Sequence, residues 1–198
     1  KALAPLARQP YLVGILQKLK EAGIRENVLC VSPSTLSIVR VLGDGSALGV
    51  RINYSVDSGA VENGGALWQC MDVVSAPLLL CVNGDTVIDI DFRSLIEGHI
   101  RHQPTATLVV SSRTDQPHVG GVALRLDSWV DDILEEEQDR HAIIVQHRYL
   151  RYASNSGVYV IDRDRLLEDW PAQFCTGKLE TGLLRYLAGK RRVWAYDN

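Results

Sequence analysis

An apolar run at residues 78–82, Leu-Leu-Leu-Cys-Val, stops on Asn83-Gly84-Asp85, and two more carboxylates, Asp89 and Asp91, follow within six residues. A carboxylate fixed where a strand ends can hold Mg²⁺, which takes one or two carboxylates and leaves its remaining positions to phosphate oxygens and water. Gly84 lets the backbone turn sharply or a ligand come close. The combination points to phosphate chemistry, although Asn-Gly-Asp is also the composition of a plain turn. Other groups are less directed. His99 and His102 are spaced to share a helix face, but no third ligand is evident, so they read as a solvated surface. Cys30, Cys70, Cys81 and Cys175 form no C-x-x-C, sit mostly in apolar segments, and read as buried, reduced thiols. The run Glu135-Glu136-Glu137, with Asp131, Asp132 and Asp139 nearby, reads as a solvated loop. Trp68, Trp129, Trp170 and Trp194 follow no stacking pattern and are assigned to core or interface.

The elements that must position Asp85 follow from periodicity. Tyr11, Leu12, Ile15, Leu16 and Leu19 predict an amphipathic helix over 10–22. A strand over 27–31, a helical pattern from Ser32-Pro33 to Gly43, and an alternating strand over 50–56 come next. Gly64-Gly65 precede a predicted helix through 74. The run 78–82 is apolar on every residue, as a central strand covered on both faces should be. Asp91 is placed to cap a helix over 92–102, and 106–111 reads as the next strand. Short strands at 122–126 and 158–161 flank a charged, irregular stretch from 131 to 152, and a helix over 179–188 leads to a strand over 192–196. Alternating helices and strands that turn mixed near the end predict a three-layer α/β/α architecture with a mixed, mainly parallel sheet. The length, 198 residues, fits a single domain. Hydrophobic residues at 46% and a net charge of −3 give no electrostatic reason to expect nucleic acid. No apolar stretch approaches the roughly 20 residues that span a bilayer, and a cytoplasmic protein without membrane contact is the expectation.

Motifs along the chain resemble the sugar-phosphate nucleotidyltransferase family. The opening K-A-L-A-P-L-A-R-Q-P-Y-L-V is similar to the segment where the family's Pro-Lys-Pro motif enters its first helix, and S-G-A-V-E-N-G-G-A-L at 58–67 resembles its L-G-T-G-G-A-L loop. V-N-G-D at 82–85 matches its metal aspartate. H-V-G-G-V at 118–122, S-N-S-G-V-Y-V-I-D at 154–162 and K-L-E-T-G-L-L at 178–184 resemble three later landmarks, in order. The resemblance implies a Rossmann-like fold and Mg²⁺-dependent transfer from a nucleoside triphosphate to a sugar 1-phosphate, with pyrophosphate released. It implies that Asp85 holds the metal, that Lys1 lies against the phosphates, and that Gly64, Gly65, Asn83 and Gly84 meet the nucleotide. Gly121, Asn155 and Glu180 would meet the sugar phosphate. Each has a plainer reading: Lys1 as a solvated terminus, Gly64-Gly65 and Asn155 as turn residues, Glu180 as a first-turn carboxylate favoured by the helix dipole. The short N-G-D-T and compact chain resemble the guanylyl-transferring branch that acts on mannose or heptose 1-phosphate. Whether the chain forms a homo-oligomer is left open.

The departures matter too. The family's G-G-x-G-T-R-L loop would come before Lys1, and its D-I-G-T-P, with a second metal aspartate, after Asp197, so residues 1–198 are expected to be a nucleotidyltransferase-like domain without those two ends. Glu62 and Asn63 stand where the family has Gly and Thr, and Glu136 stands where it carries a lysine. Like charges near a triphosphate cost free energy unless a cation intervenes. Two alternatives therefore stay open: a non-catalytic regulatory or scaffolding homologue, and a metal-dependent glycosyltransferase using Asp89-Ile90-Asp91 as its D-x-D.

Overall fold

A computed structural model describes residues 5–6, 9–57, 61–86, 89–112, 121–134 and 151–198. After a two-residue ladder of Pro5–Leu6 with Gln9–Pro10, helix α1 (Tyr11–Glu21) leads to β1 (Glu26–Val31), α2 (Ser37–Leu42), β2 (Arg51–Val56), α3 (Asn63–Cys70) and β3 (Leu78–Val82). Then come α4 (Phe92–His102), β4 (Ala106–Ser111), β5 (Gly121–Leu124), β6 (Val130–Leu134) and the long β7 (Arg151–Asp162). The chain closes with α5 (Arg163–Asp169), a π-helical turn (Leu179–Leu184) running into α6 (Arg185–Gly189), and β8 (Val193–Asp197).

The sheet is organised by β7. Strand β8 lies parallel to β4, β4 is antiparallel to β7, and Ile161 of β7 pairs with Ala106 on one side and Leu79 of β3 on the other. Ser154 likewise sits between Ser111 and Gly121, so β5 and β3 line one edge of β7 in tandem, and β6 continues outward from β5. Strands β1 and β2 form a separate parallel pair. Alternation along the strands sends neighbours to opposite faces. Tyr159 and Ile161 join one apolar cluster with Leu67 of α3, Leu166 of α5 and Leu183, Leu184 and Leu187, while Val158 and Val160 join another with Leu12 and Leu16 of α1 and Leu95 of α4. Helices thus cover both faces, which is the three-layer α/β/α arrangement with a mixed sheet. No helix among the described residues is long and apolar enough to cross a membrane.

Several expectations need correction. The strand β3 pairs only with β7 among the described residues, and only Leu79 of its five residues is buried, so its apolar character serves two cores without making it central. The pattern over 32–43 splits into a 3-10 turn (Pro33–Thr35), fixed by reciprocal Ser32 and Thr35 hydrogen bonds, and α2. Gly64-Gly65 lie inside α3, which ends at Cys70 rather than 74. The charged stretch from 131 hides β6, in which Val130, Ile133 and Leu134 are buried while Asp131 and Asp132 are half-buried. Cys70 is buried as expected, but Cys30 is exposed on β1 and Cys81 and Cys175 are half-buried; all four are free thiols. Of the two histidines, His102 is exposed as expected, but His99 is not on a solvated surface. His99 is 2% exposed and shares a hydrogen bond with Thr107 at 2.8 Å, and His102 stacks on Trp194 at 4.0 Å, because α4 lies flat on β4 and β8.

Two measurements check this account. Ile161 is fully buried with a strand on either side, so Ile161→Ala is expected to lower the unfolding free energy by about 2–5 kcal/mol in urea titrations, whereas Leu126→Ala should change it by less than about 0.5 kcal/mol. Burial holds the His99 pKa below its ordinary value, with Asp162 opposing and Arg165 adding to the shift. The unfolded chain therefore takes up this proton first: the stabilisation is complete above about pH 6.5 and is lost as pH falls through the folded-state value. His99→Gln should show a shallower decline of stability on acidification than the parent.

Candidate active site

The chain leaves β3 through Asn83, whose N–H donates to the Gly157 carbonyl of β7 at 2.9 Å. Gly157 adopts φ 69°, and a Cβ there would lie 2.8 Å from both Asn83 Nδ2 and Thr86 Oγ1. A bare, left-handed backbone is what allows the N-G-D-T turn to lie on β7. The Tyr11 hydroxyl donates to the Thr86 carbonyl and ties the turn to α1. Burial and the nearby Asp85 charge together push the Tyr11 pKa up. Asp85 itself is exposed, and its carboxylate holds no hydrogen bond or ion pair among the described residues. The descent from β3 to Asp85 thus ends in an accessible anion backed by two ordered segments.

From Gly157 a chain of hydrogen bonds crosses the site. The Gly157 N–H donates to Asn155 Oδ1 at 2.8 Å, Asn155 Nδ2 donates to the Tyr159 hydroxyl at 3.0 Å, and that hydroxyl donates to Glu180 Oε1 at 2.7 Å. The other Glu180 oxygen accepts from Asn63 Nδ2 at 2.7 Å, while Asn63 Oδ1 accepts from the Leu179 N–H at 2.8 Å. Tyr159 is 1% exposed; burial first, and the Glu180 charge second, raise its pKa, so it remains a neutral donor. Three segments that the sequence separates by up to 117 positions are joined by this line of contacts.

Gly64 and Gly65 are buried, and both lie against segment 175–179. A Cβ on Gly64 would stand 2.5 Å from the Gly177 carbonyl oxygen, and one on Gly65 would stand 2.9 Å from Thr176 Cα. The Gly65 N–H donates to that same Gly177 oxygen at 3.1 Å, and the Glu62 N–H donates to the Thr176 carbonyl. The space a side chain would occupy belongs to segment 175–179, so the two glycines seat the first turn of α3 beside Glu180. Gly121 opens β5 opposite Ser154, one residue from Asn155. Gly84 is exposed in the turn before Asp85.

Of the competing carboxylates, Asp91 and Asp197 are taken up by hydrogen bonds. Asp91 caps α4, accepting from the Arg93 and Ser94 N–H groups and from the Ser94 hydroxyl, which lowers its pKa. Asp89 is exposed and pairs with Lys18 at 3.7 Å. Asp197 accepts from Ser112 and Arg151 and fastens β8 to the end of β4. Glu62 precedes α3 and is exposed without capping it. Among the described residues no three His, Cys, Asp or Glu side chains cluster as a metal cage. Lys1 and Glu136 lie outside the described residues. Sequence reasoning missed Tyr159 and the part played by Asn63. The signal for Tyr159 was present in N-x-G-x-Y, which places polar groups at alternate positions of one strand, hence on one face; nothing local marks Asn63, whose partners lie 116 and 117 residues away.

A mixed sheet between helical layers, with polar groups collected beyond the carboxyl ends of β3, β4 and β8, is a Rossmann-like α/β design. Residues 1–173 match the nucleotidyl transferase family model, and the chain belongs to that family. It is 37% identical over 98 residues, 49% of its length, to N-acetylmuramate alpha-1-phosphate uridylyltransferase from Neisseria meningitidis, covering 42% of that protein. It is 26% identical over 164 residues, 83% of its length, to mannose-1-phosphate guanylyltransferase from Mycobacterium tuberculosis, covering 43% of that protein. The chain therefore spans about two fifths of the length of these two curated relatives. Its fold matches that of HddC from Yersinia pseudotuberculosis complexed with GMP-PN, with TM-score 0.79 at 18% identity, over 100% of this chain and 80% of that one.

Gly64→Ala tests the contact that sets α3 against Glu180. Alanine in an exposed helix is favoured over glycine by about 1 kcal/mol, but here the added methyl meets backbone that cannot step aside. Thermal melting should show a lower midpoint for Gly64→Ala than for the parent, the reverse of the helix-propensity order.

Proposed function

We propose that this protein transfers a nucleotidyl group from a nucleoside triphosphate to a sugar 1-phosphate, releasing pyrophosphate. The observation that carries the reading is the hydrogen-bonded line Asn83–Gly157–Asn155–Tyr159–Glu180–Asn63, which joins the candidate nucleotide and sugar segments beside an exposed Asp85 in a chain of the nucleotidyl transferase family.

In this reaction a sugar-phosphate oxygen attacks the α-phosphorus, a bond to the bridging oxygen breaks, and pyrophosphate departs with the electron pair. No covalent protein intermediate is needed, so the protein's part is positioning and charge stabilisation. A single exposed carboxylate suits Mg²⁺, which keeps most of its coordination for water and phosphate oxygens. Asp85 would hold that ion, which when bound neutralises charge on the triphosphate. Asn83 and Gly84 present the turn that receives the nucleotide, Lys1 supplies a cation to the phosphates, and Gly121 and Asn155 line the approach of the sugar phosphate. Glu180, with both oxygens already oriented, accepts a hydrogen bond from a sugar hydroxyl. Substrate binding would replace water around these groups without first ordering them, which favours turnover.

The relatives divide between uridylyl and guanylyl transfer, so the base is to be read from a panel of GTP, UTP, dTTP, CTP and ATP with Mg²⁺ and sugar 1-phosphates, scored by pyrophosphate release from the full-length protein. One triphosphate should support turnover and raise the melting temperature. Asp85→Asn should lower kcat/KM by about 100-fold or more while leaving the melting temperature of the free protein near that of the parent. Binding without turnover by any pair would favour a non-catalytic homologue instead, and sugar transfer to an acceptor without pyrophosphate release would favour a glycosyltransferase.

A further inference from the structure

We infer that Asn63 is a positioning residue that orients the Glu180 carboxylate and so sets discrimination among sugar 1-phosphates; the inference rests on the nucleotidyl-transfer reading above. Asn63 is the first residue of α3, and its side chain is turned away from its own helix. Its Oδ1 accepts from the Leu179 N–H at 2.8 Å and its Nδ2 donates to Glu180 Oε2 at 2.7 Å. The first bond satisfies an N–H that the opening of the π-helical turn would leave without a partner, and the second reaches the carboxylate one residue later.

A primary amide is suited to this double duty because it presents an acceptor and a donor on one rigid plane. Aspartate would keep the bond to Leu179 but set a second carboxylate against Glu180. A hydrophobic residue would lose both. The Tyr159 hydroxyl holds the opposite oxygen at 2.7 Å, so the carboxylate is gripped from two sides and its plane is fixed. Each oxygen retains further accepting capacity, directed by that plane. A carboxylate that cannot rotate distinguishes a hydroxyl placed in its lone-pair direction from one that is not, whereas a free one adapts to either. Asn63 also adjoins Gly64 and Gly65, which dock on Gly177 and Thr176, so the position of the carboxylate is referred to the first turn of α3 rather than to segment 175–179 alone.

The test uses pyrophosphate-release kinetics on the full-length protein, varying each substrate in turn. Asn63→Asp should raise KM for the preferred sugar 1-phosphate by about 10- to 100-fold while KM for the triphosphate stays within about twofold, and should narrow the preference between sugar 1-phosphates that differ at one hydroxyl. Combining Asn63→Asp with Glu180→Gln rebuilds the pair with donor and acceptor exchanged: the amide introduced at position 180 donates to the carboxylate introduced at position 63, and its oxygen still accepts from Tyr159. Because Glu180→Gln by itself weakens the sugar contact, the pair is read as a cycle: Asn63→Asp should raise KM for the sugar 1-phosphate less in the Glu180→Gln background than in the parent, a non-additivity that a purely structural role for Asn63 would not produce. If Asn63→Asp fails to melt cooperatively, Asn63→Ser, too short to reach Glu180 and uncharged, takes its place with the same split expected. Equal changes in both KM values, no change in either, or additive effects of the two substitutions would overturn the assignment of Asn63 alone. Absence of turnover by the parent with every substrate pair would overturn the nucleotidyl-transfer reading and this inference with it.

Discussion

The buried hydroxyl of Tyr159 is the contact on which the rest of the site depends. It stands inside the apolar cluster formed by β4, β7 and the π-helical turn, where an unpaired hydroxyl would cost on the order of 1–3 kcal/mol. It avoids that cost by accepting from Asn155 and donating to Glu180. In the second bond the tyrosine gives and the carboxylate receives, and the same burial that hides the hydroxyl raises its pKa. Packing therefore enforces an electrostatic arrangement. A carboxylate held by a buried donor keeps its geometry when solvent around it changes, which a surface carboxylate does not.

Much of the fold was legible because its periodicities are strong. The apolar spacing of α1, the all-apolar run of β3 and the cap at Asp91 each follow from one local rule, and each stands within one or two residues of its expected position. What failed locally was won by tertiary packing. Ile133 and Leu134 make a strand of a stretch whose acidic residues read as loop, and His99 is buried because α4 must lie on β4, a relation no window of sequence contains. The site divides in the same way. As candidates, Asp85 was marked by the end of an apolar run, and Asn155 and Glu180 by resemblance. Asn63 was visible only as a departure from a motif, since its partners come from the far end of the chain. The departure that reads as a defect in one dimension is, in three, the residue that meets Glu180.

Charge placement around the site is economical. Asp91 and Asp197 are taken up by a helix terminus and by Ser112 with Arg151. That leaves Asp85 as an exposed carboxylate whose oxygens are uncommitted among the described residues, so a divalent cation meeting this surface finds oxygens that do not have to be stripped from an existing partner. Glu62 is also exposed, but it projects from the entrance of α3, where Gly64 and Gly65 are committed to segment 175–179.

Strand β7 carries two shorter strands end to end along one side, with Gly157 between them. Asn155, which heads the hydrogen-bonded line to Glu180, and Gly157, which supports the turn before Asp85, are thus two residues apart on one strand, at the point where its register against β4 is interrupted. Both features ride on one strand clamped along its two edges, so a displacement of β7 would carry the Asn155 network and the Asp85 turn together.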